Sequence, residues 1–106
     1  MTTVHWQEAE VKPIIELLAR RWVLAIVKEL WRGDAVRRVD LRRRLGSISD
    51  KSLTAALHEL ESAGFVSRAF YEEVPPRVEY SLTEYGRSLE PLLAAATAWT
   101  MNGNFA

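Results

Sequence analysis

The stretch from Ser47 to Gly64 constrains the fold more than any other segment, because it contains the features of a complete helix. Apolar residues recur at helical spacing and predict one buried side: Leu53, Ala56, Leu57 and Leu60. Small, polar or basic residues recur on the opposite side: Lys51, Thr54, Ala55 and His58. Ser49 suits the N-cap and Gly64 suits a left-handed C-terminal stop, so we expect a helix from about Asp50 to Ala63.

A shorter helix is expected just before it, over Asp40 to Leu45. Leu41 and Leu45 lie one turn apart and face inward, while three arginines surround the rest of this helix: Arg42, Arg43 and Arg44. A short helix, a tight turn and a longer helix with a polar outer side form a helix-turn-helix, whose second helix enters the major groove of DNA. We therefore interpret the longer helix as a recognition helix, with an ordinary amphipathic surface helix as the alternative.

Two further helices are predicted towards the N-terminus. Apolar spacing indicates an amphipathic helix from about Glu8 to Arg20, in which Pro13 is tolerated only near the first turn. The segment from Trp22 to Trp31 is apolar nearly all round, which is typical of a helix buried on several sides. Residues 35–39 then form a connection that can include a short strand.

After the recognition helix the apolar residues change from a period of about 3.6 residues, typical of a helix, to a period of 2 residues, typical of a strand. The segments Phe65 to Tyr71 and Val78 to Leu82 are rich in β-branched and aromatic residues, which predicts a two-stranded hairpin. Its tip, Glu72 to Arg77, contains two prolines that restrict the backbone and cannot donate ladder hydrogen bonds. Thr83 can cap a final helix, which Pro91 should kink or interrupt.

The composition bounds the functional classes. A chain of 106 residues with 48% hydrophobic and 26% charged residues is typical of one globular domain. It has no cysteine, which excludes disulfides, thiolate zinc sites and thiol redox sensing, and its two histidines cannot form a metal site unaided. We find no catalytic triad spacing and no phosphate-binding glycine loop, so neither an enzyme nor a cofactor is expected. No signal-peptide or membrane-span pattern occurs, which predicts a cytoplasmic protein.

Charge is unevenly distributed along the chain. The 14 basic and 14 acidic residues give a formal net charge of zero, which at first argues against a nucleic-acid partner. Eight basic and four acidic residues lie between Lys28 and Lys51, however, so this window carries +4 and the remainder −4. A positive cluster directly before the proposed recognition helix favours attraction of phosphates; a solvated surface is the alternative explanation.

Motifs from about Val11 to Trp99 match one known family. The longest is EVPPRVEYSLTEYG, from Glu73 to Gly86. The other matching positions are Trp22, Leu41, Arg42, Arg43, Ile48, Ser49, Lys51, Leu57, Glu59 and Leu60. Together they resemble the HxlR-type regulators, bacterial winged helix-turn-helix transcription factors related to the MarR group. The resemblance implies a single α+β, mainly α domain over residues 1–106, with a helix-turn-helix (40–63), a two-stranded β-hairpin wing (65–83) and dimerisation helices at both ends (1–20 and 84–106).

Three places in the chain depart from the family pattern. Ala9 stands where the family commonly carries a cysteine that senses oxidants or electrophiles in several members, so this chain lacks that switch. Ala19 and Arg20 replace a small or polar pair, commonly glycines, before the tryptophan. Arg38 stands where an aromatic residue is usual, which puts the connection before the short helix in doubt.

The candidate DNA-binding residues follow from the pattern and the resemblance together. Lys51 and His58 could donate to guanine or phosphate, whereas His58 could instead turn back to Glu61 or Ser62 on its own helix. Thr54 could bond a base edge or touch a thymine methyl group, and Ala55 offers a small apolar contact. Four further candidates are phosphate contacts, at the helix N-terminus and on the short helix: Ser49, Ser52, Arg42 and Arg43. Arg77 on the wing would reach the adjacent minor groove or its phosphates, because the hairpin of a winged helix usually lies there.

The four tryptophans allow two interpretations. In the simpler one Trp22 and Trp31 belong to the core, and Trp6 and Trp99 pack where the terminal helices of two subunits meet. In the other, the four rings line a small-molecule effector pocket at the dimer interface.

The sequence thus favours a sequence-specific, homodimeric DNA-binding regulator, a repressor or autoregulator, that binds an inverted repeat in double-stranded DNA. The alternative is a winged-helix module that binds another protein, because the neutral net charge would be compatible with a protein partner. Salt dependence separates the two, because phosphate contacts release counterions.

Overall fold

A computed structural model describes residues 5–104 of the chain. In this range the helices are α1 (Glu8–Ala19), α2 (Val23–Leu30), α3 (Arg38–Arg44), α4 (Asp50–Ser62), α5 (Glu84–Arg87) and α6 (Glu90–Trp99), and a π-helical turn follows at Thr100–Asn104. The strands are β1 (Val36–Arg37), β2 (Val66–Tyr71) and β3 (Arg77–Leu82). The predicted fold class is confirmed: a mainly α winged helix-turn-helix, with α3 and α4 as the two helices of the motif. The outermost parts of the expected dimerisation segments, residues 1–4 and 105–106, lie outside the described residues.

The wing is a β-hairpin within a three-stranded antiparallel sheet of order β1-β3-β2. Strands β2 and β3 pair from Val66 opposite Leu82 at the base to Tyr71 opposite Arg77 at the tip. Strand β1 adds two residues to the other edge of β3, with Val36 opposite Tyr80. The short strand that the sequence left in doubt between α2 and α3 is therefore present, and it connects the start of the helix-turn-helix to the wing.

The core forms between α2, α4 and the sheet. Helix α2 buries Val23, Ile26, Val27 and Leu30, which agrees with its apolar sequence. Helix α4 buries the predicted stripe: Leu53, Ala56, Leu57 and Leu60. Leu41 of α3 is fully buried beside them. Trp22 and Trp31, which were expected in the core, are only partly buried and pack against its edge.

Several helix boundaries differ from those expected from sequence. Helix α3 begins at Arg38 rather than Asp40, and its N-cap, Arg37, makes no side-chain capping bond that could have marked the start. Pro13 lies inside α1, beyond the first turn. The final helix is interrupted as predicted, because α5 ends at Arg87 and α6 begins with Pro91 in its first turn, where a backbone N–H would have no helical partner.

The terminal helices pack against the edge of the core through partly buried residues. Neither α1 nor α6 contains a buried residue. Large apolar side chains of both helices are exposed, among them Ile15, Leu92 and Trp99. Among the described residues no helix combines the length and apolar character that crossing a membrane requires.

Candidate nucleic-acid interface

The outer side of α4 forms one continuous exposed surface. Lys51, Thr54, Ala55 and His58 are exposed and, with Asp50, line the same shallow depression. Because the opposite side of α4 is locked into the core by its four buried residues, this orientation is fixed. The structure thus brings together the four residues that were predicted to face a major groove, a surface we call the recognition face.

The beginning of α4 is capped as predicted. The Oγ atom of Ser49 accepts a hydrogen bond of 3.0 Å from the backbone N–H of Ser52. Ser52 is not among the residues that line the depression of the recognition face; it lies beside a small cleft formed with the α1–α2 turn, including Arg20 and Trp22. Ser49 and Ser52 therefore mark the N-terminal end of α4, next to the recognition face.

The two candidate arginines of α3 have different environments. Arg42 Nε lies 3.5 Å from Asp50 Oδ1, which brings this guanidinium to the edge of the recognition face. Arg43 Nη2 lies 2.9 Å from Asp40 Oδ1 within its own helix, and its side chain is largely exposed. Arg42 joins the proposed interface, whereas Arg43 points to a carboxylate of α3.

Arg77, at the start of β3, is held inside the wing by three neighbours. Its Nη2 atom lies 3.4 Å from Glu73 Oε1 and its Nε atom lies 3.1 Å from Glu79 Oε2. Its guanidinium carbon stacks 4.1 Å from the ring centroid of Tyr71. With only 25% of its side chain exposed, Arg77 is less accessible than expected for a residue that reaches into a groove.

Sequence reasoning missed Arg38, the first residue of α3. Its Nη2 atom donates to Thr54 Oγ1 at 2.9 Å and to the Asp50 carbonyl oxygen at 3.4 Å. The same atom lies 3.6 Å from Asp50 Oδ1. The only sequence signal was that Arg38 departs from the aromatic residue usual at this position. Arg38 thus connects the two helices of the motif at the recognition face.

A cleft of about 450 Å³ separates the recognition face from the wing tip. Its basic lining residues are Arg37, Arg38, Arg42 and Arg77. Asp50 and Glu73 also line it, so the cleft carries both positive and negative groups. This arrangement offers several donors to a phosphate backbone while part of the charge is neutralised within the protein.

The four tryptophans differ in exposure and surroundings. Trp31 lines an apolar cavity of about 470 Å³ with Leu24, Val27 and Leu93. Trp22 lines the small cleft between the α1–α2 turn and α4, and its backbone is left-handed, with φ 77°. Trp6 and Trp99 are 64% and 53% exposed. Trp22 and Trp31 thus line different cavities of one chain, and an effector pocket lined by all four rings stays a prediction.

Comparison with known proteins identifies the family. A family profile described as HxlR-like helix-turn-helix matches residues 17–104. The HTH-type transcriptional regulator YtcD of Bacillus subtilis (strain 168) is 41% identical over 92 residues, which cover 87% of this chain and 72% of YtcD. These matches include α3, α4 and the wing.

Solved structures show the same architecture. A transcriptional regulator of the MarR family from Enterococcus faecalis V583 superposes with a TM-score of 0.83 at 33% identity, covering 98% of this chain and 92% of that one. The redox regulator HypR in its reduced form superposes with a TM-score of 0.77 at 35% identity, covering 91% of this chain and 94% of that one. With its fold, its recognition face and these matches taken together, the chain belongs to the HxlR-like helix-turn-helix family of transcriptional regulators.

Proposed function

We propose that the protein is a homodimeric repressor that binds an inverted-repeat operator and places one α4 helix of each subunit in successive major grooves, about one turn of B-DNA apart. The observation that carries this proposal is the recognition face. Lys51, Thr54 and His58 present hydrogen-bonding groups on an exposed helix side whose opposite side is anchored in the core. Side chains of this size and chemistry suit contacts to base edges and phosphates.

The charge distribution supports a polyanionic partner. The window from Lys28 to Lys51 carries +4 in a chain of zero net charge. This window includes α3 and the start of α4, so the positive charge lies next to the recognition face rather than being spread over the molecule. Such a local field accelerates encounter with DNA and makes affinity sensitive to salt.

The exposed apolar residues of the terminal helices support a dimer. Ile15 of α1, together with Leu92 and Trp99 of α6, remains exposed although the hydrophobic effect favours burial at about 25 cal/mol per Å². A second copy that presents the same helices would cover them, as in a two-fold interface in which each subunit contributes the same surface. Two-fold symmetry in the protein then requires two-fold symmetry in the operator.

The proposed regulation differs from thiol-based sensing. The 106 residues contain no cysteine, whereas one structural neighbour is named a redox regulator. We propose that an effector of this protein binds non-covalently, in the apolar cavity beside Trp31 close to the α6 helix. Apolar cavities of a few hundred cubic ångströms are suited to small molecules.

The test is fluorescence anisotropy on duplexes tiling the DNA upstream of the protein's own gene, with excess competitor DNA, at two salt concentrations. We expect tight, salt-sensitive binding to one duplex that contains an inverted repeat. Equal and weak binding to every duplex would contradict autoregulation and move the search to genome-wide site selection. Absence of binding at low salt would overturn the DNA-binding proposal in favour of a protein-interaction module.

The dimer has its own test, by light scattering coupled to gel filtration. We expect the mass of two chains for the wild type and of one chain for Leu92→Glu, because a carboxylate within the interface would lose its hydration. Ala94→Glu, which lies on the other side of α6 by helical periodicity, is the matched control and should remain dimeric. A single-chain mass for the wild type at micromolar concentration would overturn the dimer.

A further inference from the structure

Arg38 and Thr54 form a direct link between α3 and the recognition face. The Nη2 atom of Arg38 donates to Thr54 Oγ1 at 2.9 Å, and the arginine side chain is 29% exposed. Thr54 itself is exposed. The residue proposed to contact a base edge therefore already has one partner, and that partner is a cation supplied by the other helix of the motif.

The chemistry of the two groups fixes the direction of this hydrogen bond. A guanidinium has only donors, so the hydroxyl oxygen of Thr54 must act as the acceptor. A hydroxyl group has a single hydrogen, which therefore remains available to another partner. Within a helix a threonine commonly donates this hydrogen to the carbonyl four residues earlier, which here belongs to Asp50. Arg38 also donates to that carbonyl oxygen, at 3.4 Å, and so competes for it.

We propose that Arg38 is a positioning residue that makes Thr54 a hydrogen-bond donor to DNA, and so determines which bases are accepted at one operator position. Purine N7, guanine O6 and thymine O4 are acceptors in the major groove, whereas the amino group of cytosine is a donor. A donor facing Thr54 would have to share the hydroxyl oxygen with Arg38 and would approach a positive guanidinium. The position read by Thr54 should therefore favour an acceptor edge over a cytosine amino group.

Asp50 helps to hold Arg38 beside Thr54. Its carboxylate lies 3.6 Å from Arg38 Nη2 and 3.5 Å from Arg42 Nε, so it bridges two of the four arginines of α3. Part of the charge of Arg38 is compensated within the protein, and its guanidinium is held beside Thr54.

This inference rests on the proposed function, because it concerns how the same recognition face selects DNA. The experiment measures affinity for operator variants in which each base pair is replaced in turn. Thr54→Val removes the hydroxyl at nearly constant shape, and the position at which it abolishes the base preference is the one that Thr54 reads. Arg38→Met keeps an unbranched, flexible side chain that has no donor, and Arg38→Lys restores one charged donor.

We expect Arg38→Met to reduce the preference at the Thr54 position at least fivefold while preferences at other positions persist, and Arg38→Lys to restore part of it. The double variant Arg38→Met/Thr54→Val should show the same base preferences as Thr54→Val alone. Arg44→Ala, which removes an exposed arginine from the same helix, is the control and should leave every base preference unchanged. Circular dichroism and urea unfolding establish that each variant is folded.

The outcomes separate this inference from the proposed function. A uniform loss of affinity for all sequences in Arg38→Met would assign Arg38 to the phosphate backbone and overturn the inference. Unchanged base preferences in both Arg38 variants would overturn it as well, while specific binding by the wild type would still support the regulator. Failure of the wild type to prefer any duplex would overturn both proposals.

Discussion

The Nε atom of Arg77 lies 3.1 Å from Oε2 of Glu79, two residues further along the same wing strand. Residues two apart on a strand share a face, so this pair forms wherever β3 is extended. The contact lacks the alignment of a hydrogen bond and is an ion pair. Glu79 therefore compensates the charge of the one wing arginine that was predicted to reach DNA.

We predict that Glu79→Gln strengthens operator binding at low salt, because removing one carboxylate frees Arg77 for phosphate. A partly exposed ion pair is worth at most about 1 kcal/mol, so the gain in affinity should be up to about fivefold. Affinity titrations at several salt concentrations measure the effect. Glu72→Gln, at the exposed wing tip, makes the same change in net charge and is the control. An equal gain in both variants would assign the effect to net charge alone.

Lys51 is exposed on the recognition face, and its removal should weaken DNA binding without affecting folding. We expect Lys51→Ala to lower operator affinity about tenfold, within the range of about 1–3 kcal/mol for a specific contact. If Lys51 contacts a phosphate, the slope of log affinity against log salt should also decrease by about one. The urea midpoint should not change.

Lys12→Ala provides the matched control for Lys51→Ala. Lys12 is an exposed lysine of α1 that lies 3.8 Å from Glu16 on its own helix. Its removal makes the same change in net charge far along the chain from the recognition face. If both variants lose affinity equally, the recognition face has no special role and Lys51 acts only through the overall charge.

The parts of the fold that sequence predicted are those specified by neighbouring residues. The bounds of α4 follow from the cap at Ser49, the apolar stripe and Gly64, all within one short segment. The wing follows from alternation and from the prolines between its strands. In each case the signal lies within a few residues of the element it defines, so no tertiary contact was needed to interpret it.

The parts that sequence missed depend on contacts between distant residues. The hydrogen bond between Arg38 and Thr54 joins positions 16 apart, and it exists only because α3 and α4 pack at one particular angle. Helix α3 starts earlier than expected, directly after β1. Strand β1 pairs with Tyr80 of β3, which comes after the helix-turn-helix in the sequence. The ion pair of Arg77 with Glu79 could have been predicted, because their spacing of two within a strand places them on one face.

The N-cap of α4 should be worth about 1 kcal/mol of folding free energy. Ser49 Oγ satisfies the backbone N–H of Ser52, which would lack a helical partner otherwise. We predict that Ser49→Ala lowers the free energy of unfolding by about this amount in urea titrations. Ser47→Ala changes the same residue type two positions before the cap and should alter stability by less than about 0.5 kcal/mol. Equal losses would contradict the capping role.

Gly86 lies where the wing returns to the core, and it leaves no space for a side chain. A Cβ atom at this position would lie 2.2 Å from the carbonyl oxygen of Phe65. That oxygen also accepts a hydrogen bond of 3.0 Å from the backbone N–H of Thr83, and Thr83 Oγ1 accepts one of 2.9 Å from the N–H of Gly86. The backbone around Gly86 therefore cannot move without breaking these hydrogen bonds, which connect the end of β3 to α5.

We predict that Gly86→Ala destabilises the domain by about 3 kcal/mol, at the upper end of the usual range for overpacking, because backbone rather than a flexible side chain must yield.

Gly46→Ala is the informative comparison. Gly46 has φ +71°, and a Cβ atom there would meet none of the described residues beyond its chain neighbours within 4 Å. Its substitution therefore costs only the strain of placing an alanine in the left-handed conformation, about 1 kcal/mol. Urea unfolding of both variants measures the difference. If Gly86→Ala were no more destabilising than Gly46→Ala, the hydrogen-bonded connection between β3 and α5 would be able to open, and the wing would not be fixed relative to the recognition face.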